Sequence, residues 1–128
     1  MEEKYHAADL LVNNAGVTRP VPHDDLDGLD DDLIDQIFCI NWRGAFAAIR
    51  TFKDLGTDGD SSTVVNISSV AAVTGLDSNV ACCASKAVLD SVTRSLARAL
   101  APKIWVVSVS PDWVEGEHAK LPTYPAIA

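Results

Sequence analysis

Three short runs in this chain are apolar at successive positions, the second with one polar residue in it: Leu10-Leu11-Val12, Val64-Val65-Asn66-Ile67 and Trp105-Val106-Val107. A strand apolar at consecutive positions expects cover on both faces, which is the habit of parallel strands. Turn and stop signals close the segments that hold these runs. Asp9 to Asn13 meets Asn14-Ala15-Gly16, Thr63 to Ser68 meets a loop, and Lys103 to Ser110 ends at Pro111. The spacing of Leu33, Ile37, Ile40, Gly44 and Ala47 predicts a helix over 30–53, with Asp30 to Asp32 at its positive end. A second helix is predicted over 79–100, with a face through Cys82, Val88, Val92, Leu96 and Leu100 and a stop at Pro102. Gly56 to Ser62 and the stretch around Gly75 read as loops, and the chain from Trp113 as a tail. The order β-α-β-α-β predicts an α/β fold, a parallel sheet with right-handed crossovers. Both helices then fall on one face, so the other face of the strands lacks its expected cover.

At 128 residues, with 48% apolar and 22% charged, the chain makes one domain at most. No apolar run approaches the roughly 18 residues of a membrane span, and MEEKYHAAD is acidic where a signal peptide is basic. A cytoplasmic protein with no membrane partner is expected. The net charge of −8 arises in the first half: residues 1–64 hold 13 acids and 5 bases, the remainder 5 of each. No basic patch exists for phosphate, which argues against a nucleic-acid partner. Cys39, Cys82 and Cys83 form no disulfide framework, and with His6, His23 and His118 they form no metal-ligand spacing.

The motifs Asn13-Asn14-Ala15-Gly16 after a strand, Asn41 within a helix, Ser68-Ser69 after Val65-Asn66-Ile67, Ala84-Ser85-Lys86 opening a helix, and Pro111 ending the last strand occur together and in this order. In order and spacing the stretch from about Asp9 to Val114 resembles the middle of a short-chain dehydrogenase/reductase, and Leu96 to Pro102 is similar to bacterial reductases of the 3-oxoacyl carrier protein type. The resemblance implies part of a Rossmann-type, doubly wound parallel sheet, and a nicotinamide cofactor, NAD or NADP. It implies that Ser69 meets the substrate oxygen and that Lys86 binds the nicotinamide ribose and lowers the pKa of a neighbouring phenol. Asn41 is implied to hold a relay water, and Asn13, Asn14, Ala15, Gly16 and Pro111 to lie along the cofactor. Taken singly, Ser69 reads as a strand-end polar residue, Lys86 as a solvated helix lysine, and Asn41 as an amide that kinks its own helix.

Position 82, four residues before Lys86, is where the resemblance expects the acid, a tyrosine; here it is Cys82. A phenol oxygen stands roughly 6.5 Å from its Cα and a thiol sulfur only about 2.8 Å, so Cys82 falls short of a substrate oxygen that a general acid must approach to about 3 Å. A thiol near Lys86 is also expected to tend towards thiolate, which cannot donate a proton. The plainer reading makes Cys82 and Cys83 small buried helix residues, and the alternative makes one of them a redox or nucleophilic thiol. Asp112 follows Pro111 where the family usually has Gly, and Trp105 stands where such reductases often have Arg. Neither a Gly-rich phosphate turn nor a residue that selects NAD over NADP is present.

These features predict a single incomplete domain over 1–128, without the Gly-rich strand-turn-helix, the substrate loop and the last strand. The first functional reading is a NAD(P)-dependent alcohol/ketone oxidoreductase, present as a fragment of little or no activity in which cofactor binding is weak or absent. A second is a pseudoenzyme or interaction module that forms homo-oligomers, or associates with intact relatives, through helices 30–53 and 79–100. A third is a degraded gene product.

Overall fold

The computed structural model describes residues 7–56 and 60–112. Strands β1 (Leu10–Asn13), β2 (Ser62–Ile67) and β3 (Ile104–Val109) form one parallel sheet in the order β1-β2-β3. The register sets Leu10 beside Thr63 and Thr63 beside Trp105, and Val12 beside Val65 and Val65 beside Val107. Helices α1 (Asp31–Phe38) and α2 (Gly44–Phe52) connect β1 to β2, while α3 (Ala71–Thr74) and α4 (Val80–Leu100) connect β2 to β3. The expected α/β architecture is present. The predicted tail and part of the loop before β2 lie outside the described residues.

Both connections cover the same face. Val64, Ile104 and Val106 are buried against Ile49 and Phe52 of α2, with Leu96, Ala97 and Leu100 of α4 packed on them. Alternate strand residues point the other way: Leu10 (60% exposed), Val12 (50%), Trp105 (56%), Val107 (43%) and Val109 (50%) lie open.

The helix predicted over 30–53 is interrupted. Cys39–Arg43 forms a π turn between α1 and α2. The predicted stripe through Ile40, Gly44 and Ala47 is corrected accordingly: the buried positions are Leu33, Ile37, Asn41, Ala45 and Ile49, whereas Gly44 and Ala47 are exposed. Each four-residue step overshoots a 3.6-residue turn by about 40°, and the wider π turn takes up part of that drift. Asp30 caps α1 as expected, accepting the Leu33 N–H at 2.8 Å.

The buried face of α4 is also rotated from the predicted one. It runs through Cys82, Ser85, Leu89 and Thr93, while Val88 and Val92 are only half-buried. Ser85 Oγ donates to the Cys82 carbonyl and Thr93 Oγ1 to the Leu89 carbonyl, both at 2.8 Å, so these hydroxyls enter the core already satisfied. Where a loop was predicted around Gly75, the short helix α3 is found. Gly75 closes it at φ 69°, a left-handed conformation that suits a residue without Cβ.

Candidate active site

Ligands of open parallel sheets bind beyond the carboxyl ends of the strands, and the candidate residues gather at these ends. Lys86, in the second turn of α4, donates from Nζ to the Ile67 carbonyl at the end of β2 (2.9 Å). Burial pushes its ammonium below the ordinary value; Cys82, Asp77 and Asp90 oppose the shift. The turn after β1 comes close to it. A Cβ on Gly16 would lie 3.5 Å from Asn41 Oδ1 and 4.0 Å from Lys86 Nζ.

Asn41 is buried in the π turn. Its Oδ1 accepts the Val17 N–H at 2.9 Å, and its Nδ2 donates to the Val17 carbonyl (3.3 Å) and to Ser85 Oγ (3.1 Å). Both amide hydrogens are therefore committed to protein, and a water held by this side chain has one Oδ1 lone pair to use. Asn13 also turns inward. Its Nδ2 donates to Asn66 Oδ1 (2.8 Å) and to the Ala45 carbonyl (3.4 Å), leaving Asn14, Ala15 and Gly16 as the exposed part of the turn. Asn14 and Ala15, with Cys39 and Ile40, line a cleft of about 320 Å³ along β1.

Of the two serines after β2, Ser68 is buried and donates to the Lys86 carbonyl (3.3 Å), while Ser69 is half-buried. Ser69 Oγ accepts the Ala71 N–H (3.0 Å), which leaves its own hydrogen free to reach a ligand. The Pro111 carbonyl accepts the Val70 N–H (3.1 Å), so the end of β3 holds the segment that carries Ser69.

Cys82 is buried in the first turn of α4. Its Sγ–H donates to Asp77 Oδ2 at 3.0 Å. Burial, then the hydrogen bond to Asp77 and the charge of that carboxylate, raise its pKa to about 12; burial and Asp77 raise that of Cys83 to about 11. The expected drift of Cys82 towards thiolate is thus corrected: it remains a thiol despite Lys86, because desolvation and an adjacent carboxylate both favour the neutral form.

Sequence reasoning missed the polar cluster that surrounds Cys82. Asn79 caps α4 by accepting the Cys82 N–H (2.8 Å) and donates to the Arg19 carbonyl (2.8 Å); Thr18 and Ser78 share a short hydroxyl contact; Asp77 Oδ1 accepts the Ser78 N–H (2.7 Å). An Asn just before a helical run is an N-cap signal that was available. Nothing in the sequence marked the bond between Asp77 and Cys82.

A dinucleotide needs groups for the nicotinamide riboside and for the pyrophosphate. Lys86, Ser69 and the exposed Asn14–Gly16 turn fit the first. The described residues do not fit the second, because α1 opens with Asp30, Asp31 and Asp32, and α4 opens beside Asp77. These acids repel phosphate where a binding helix would offer free N–H groups. Among the described residues, no helix is long and apolar enough to cross a membrane, and no cluster of three or more His, Cys, Asp or Glu could hold a metal ion.

A family model described as short chain dehydrogenase matches residues 1–122. L-xylulose reductase of Caenorhabditis elegans is 42% identical over 109 residues, 81% of this chain and 41% of that protein. The 3-oxoacyl-[acyl-carrier-protein] reductase of Thermotoga maritima is 31% identical over 114 residues, 88% of this chain and 45% of that protein. The crystal structure of 3-ketoacyl-(acyl-carrier-protein) reductase from Brucella melitensis, complexed with NADH, superposes with a TM-score of 0.77 at 32% identity, covering 87% of this chain and 47% of that one. The chain therefore spans under half the length of these relatives. With a family model matching nearly the whole chain and relatives that share its parallel sheet, the chain belongs to the short-chain dehydrogenase family.

Proposed function

We propose that the chain is the substrate-side part of a nicotinamide-dependent oxidoreductase that interconverts alcohols and ketones, and that it has little or no such activity as this chain. The observation that carries the reading is that Lys86 reaches the Ile67 carbonyl at the end of β2, two residues before Ser69 and beside the Gly16 turn, while position 82, one helical turn before Lys86, holds a thiol where a longer acid is required. In this reading Ser69 offers its hydroxyl hydrogen to the substrate oxygen. Lys86 presents a positive charge to the ribose of NAD or NADP, and Pro111 fixes the loop that carries Ser69. Cys82 keeps its proton too tightly and ends too far back to relay it. Loss of a positioned acid costs about 10² to 10⁴ in rate. We infer that residues 1–128 form a single incomplete domain whose described residues do not supply the pyrophosphate site.

The test is NADPH oxidation with a simple ketone, by the wild-type chain and by Cys82→Tyr, each alone and mixed with a separately expressed Gly-rich first half of L-xylulose reductase. Turnover is expected only from Cys82→Tyr with the added half. Turnover by Cys82→Tyr alone contradicts the missing cofactor site, and none in any mixture contradicts the oxidoreductase reading.

One observation favours a second reading, association through the long helices. Trp42 and Phe46 stack in a tilted pair (6.0 Å between centroids, 56°), and the exposed Arg50 guanidinium lies 5.1 Å over the Phe46 ring. Beside exposed Cys39 and Ala47 this forms a surface of the kind that protein contacts use. A second copy or an intact relative is the proposed partner, and Phe46→Glu, made in the Trp105→Lys/Val107→Lys background, is expected to reduce the remaining association measured by sedimentation.

A further inference from the structure

The carboxylate of Asp77 occupies space next to the short side chain at position 82. A thiol sulfur stands about 2.8 Å from its own Cα, and Asp77 Oδ2 lies 3.0 Å from the Cys82 sulfur. The carboxylate oxygen is therefore at most about 6 Å from the Cys82 Cα, against roughly 6.5 Å for the oxygen of a phenol built there. We propose that Asp77 meets the substrate oxygen in this chain, and that it makes the site selective for alcohols over ketones. This rests on the proposed alcohol/ketone reading and deepens it, since it names the oxidation state of the ligand that the site accepts.

The chemistry follows from donor and acceptor counting. A phenol donates a hydrogen to a ketone oxygen, whereas a carboxylate can only accept. Asp77 Oδ1 takes the Ser78 N–H and Oδ2 takes the Cys82 S–H, one bond each, so each oxygen retains a free lone pair. Cys82 is the positioning residue: its sulfur holds the carboxylate in place and does not itself touch the ligand. Ser69 precedes α3 and Asp77 follows it, and Ser69 has an uncommitted hydroxyl hydrogen. In this assignment an alcohol oxygen accepts from Ser69 and donates to Asp77. A ketone oxygen accepts from Ser69 and then sets its second lone pair against the carboxylate, an unsatisfied and repulsive contact. The half-buried ammonium of Lys86, whose proton affinity Asp77 supports, balances the negative charge.

Cyclohexanol and cyclohexanone are a size-matched probe pair that differ in this one donor. Each is titrated into the purified chain with ¹³C-labelled aspartate carboxyls, the Asp77 resonance being assigned by its loss in Asp77→Asn. The alcohol is expected to shift that resonance and to bind about tenfold more tightly than the ketone, the worth of about one hydrogen bond. In Asp77→Asn, whose amide also donates, the ratio should fall to near one; Cys82→Ser, which keeps a donor to Asp77, should preserve it. Equal binding of both probes, an unchanged ratio in Asp77→Asn, or no response to the alcohol overturns the assignment. Cys82→Tyr separates this from the broader reading. If it gains no affinity for the ketone while Asp77→Asn still abolishes the preference, Asp77 stands and the oxidoreductase reading fails. If it gains affinity while the Asp77 ratio never existed, the reverse holds.

Discussion

Asn13 and Asn66 sit opposite each other on parallel strands, joined by a hydrogen bond of 2.8 Å. Asn66 is fully buried and passes its own amide hydrogen to Thr93 Oγ1 (3.0 Å), which in turn donates to the Leu89 carbonyl. A polar chain thus crosses the core from β1 through β2 to α4, with each member satisfied by the next.

Asn66→Ala removes the shorter of the two hydrogen bonds of the Asn13 amide and opens a cavity beside Thr93, at an expected cost of about 2 to 3 kcal/mol. Urea unfolding followed by circular dichroism measures it. A loss under about 0.5 kcal/mol would mean that water replaces the chain without penalty.

Asn41 ties the π turn to Val17 through a reciprocal pair of bonds. Asn41→Ala is expected to cost about 2 kcal/mol and to release the Val17 amide to rapid hydrogen exchange. Unchanged protection at Val17 would show that the loop is held elsewhere.

Strand positions, the Asp30 cap and the one-sided placement of the helices were legible because they depend on local apolarity and on the handedness of crossovers. The π turn was not. Its buried residue is the polar Asn41, which an apolar-periodicity reading passes over in favour of Ile40. The same blindness rotated the face of α4, since Ser85 and Thr93 are buried by bonding to their own helix. Ser69, Lys86 and the Asn14–Gly16 turn stand out as motif, and the roles proposed for them rest on the resemblance. The contact between Asp77 and Cys82 was not, because it depends on a loop geometry that spacing alone does not specify.

The folded thiols should be visible in the pH dependence of stability. Cys82 holds its proton to about 12 and Cys83 to about 11, against 9.0 for a free thiol. Above pH 9 the unfolded chain loses protons that the folded chain keeps, so the stability is whole below pH 9 and is lost as pH climbs towards 12. Lys86, lowered from 10.5, acts in the opposite sense, because there the unfolded chain keeps its proton longer. The denaturant midpoint is expected to fall between pH 9 and 11 in the wild-type chain and to fall less in Cys82→Ala/Cys83→Ala. Equal slopes would remove the thiols from the account.

The open sheet face should make the isolated chain associate. Burying side chains such as Leu10, Val12, Trp105, Val107 and Val109 is worth about 1.5 to 3 kcal/mol each, or roughly 10 kcal/mol forgone, comparable to the whole stability of a domain. Light scattering is expected to show particles larger than a monomer, and Trp105→Lys/Val107→Lys to reduce them. A monodisperse wild-type monomer with a cooperative melt above roughly 55 °C would mean that this face is covered.

We propose that the described residues supply the nicotinamide end of a dinucleotide site without groups for the pyrophosphate. Calorimetric titration of NADH and of NADPH into the purified chain tests it most directly. Neither is expected to bind more tightly than about 1 mM, an affinity near 4 kcal/mol, because the acids at the starts of α1 and α4 oppose the phosphates. Micromolar binding of either cofactor would contradict the claim.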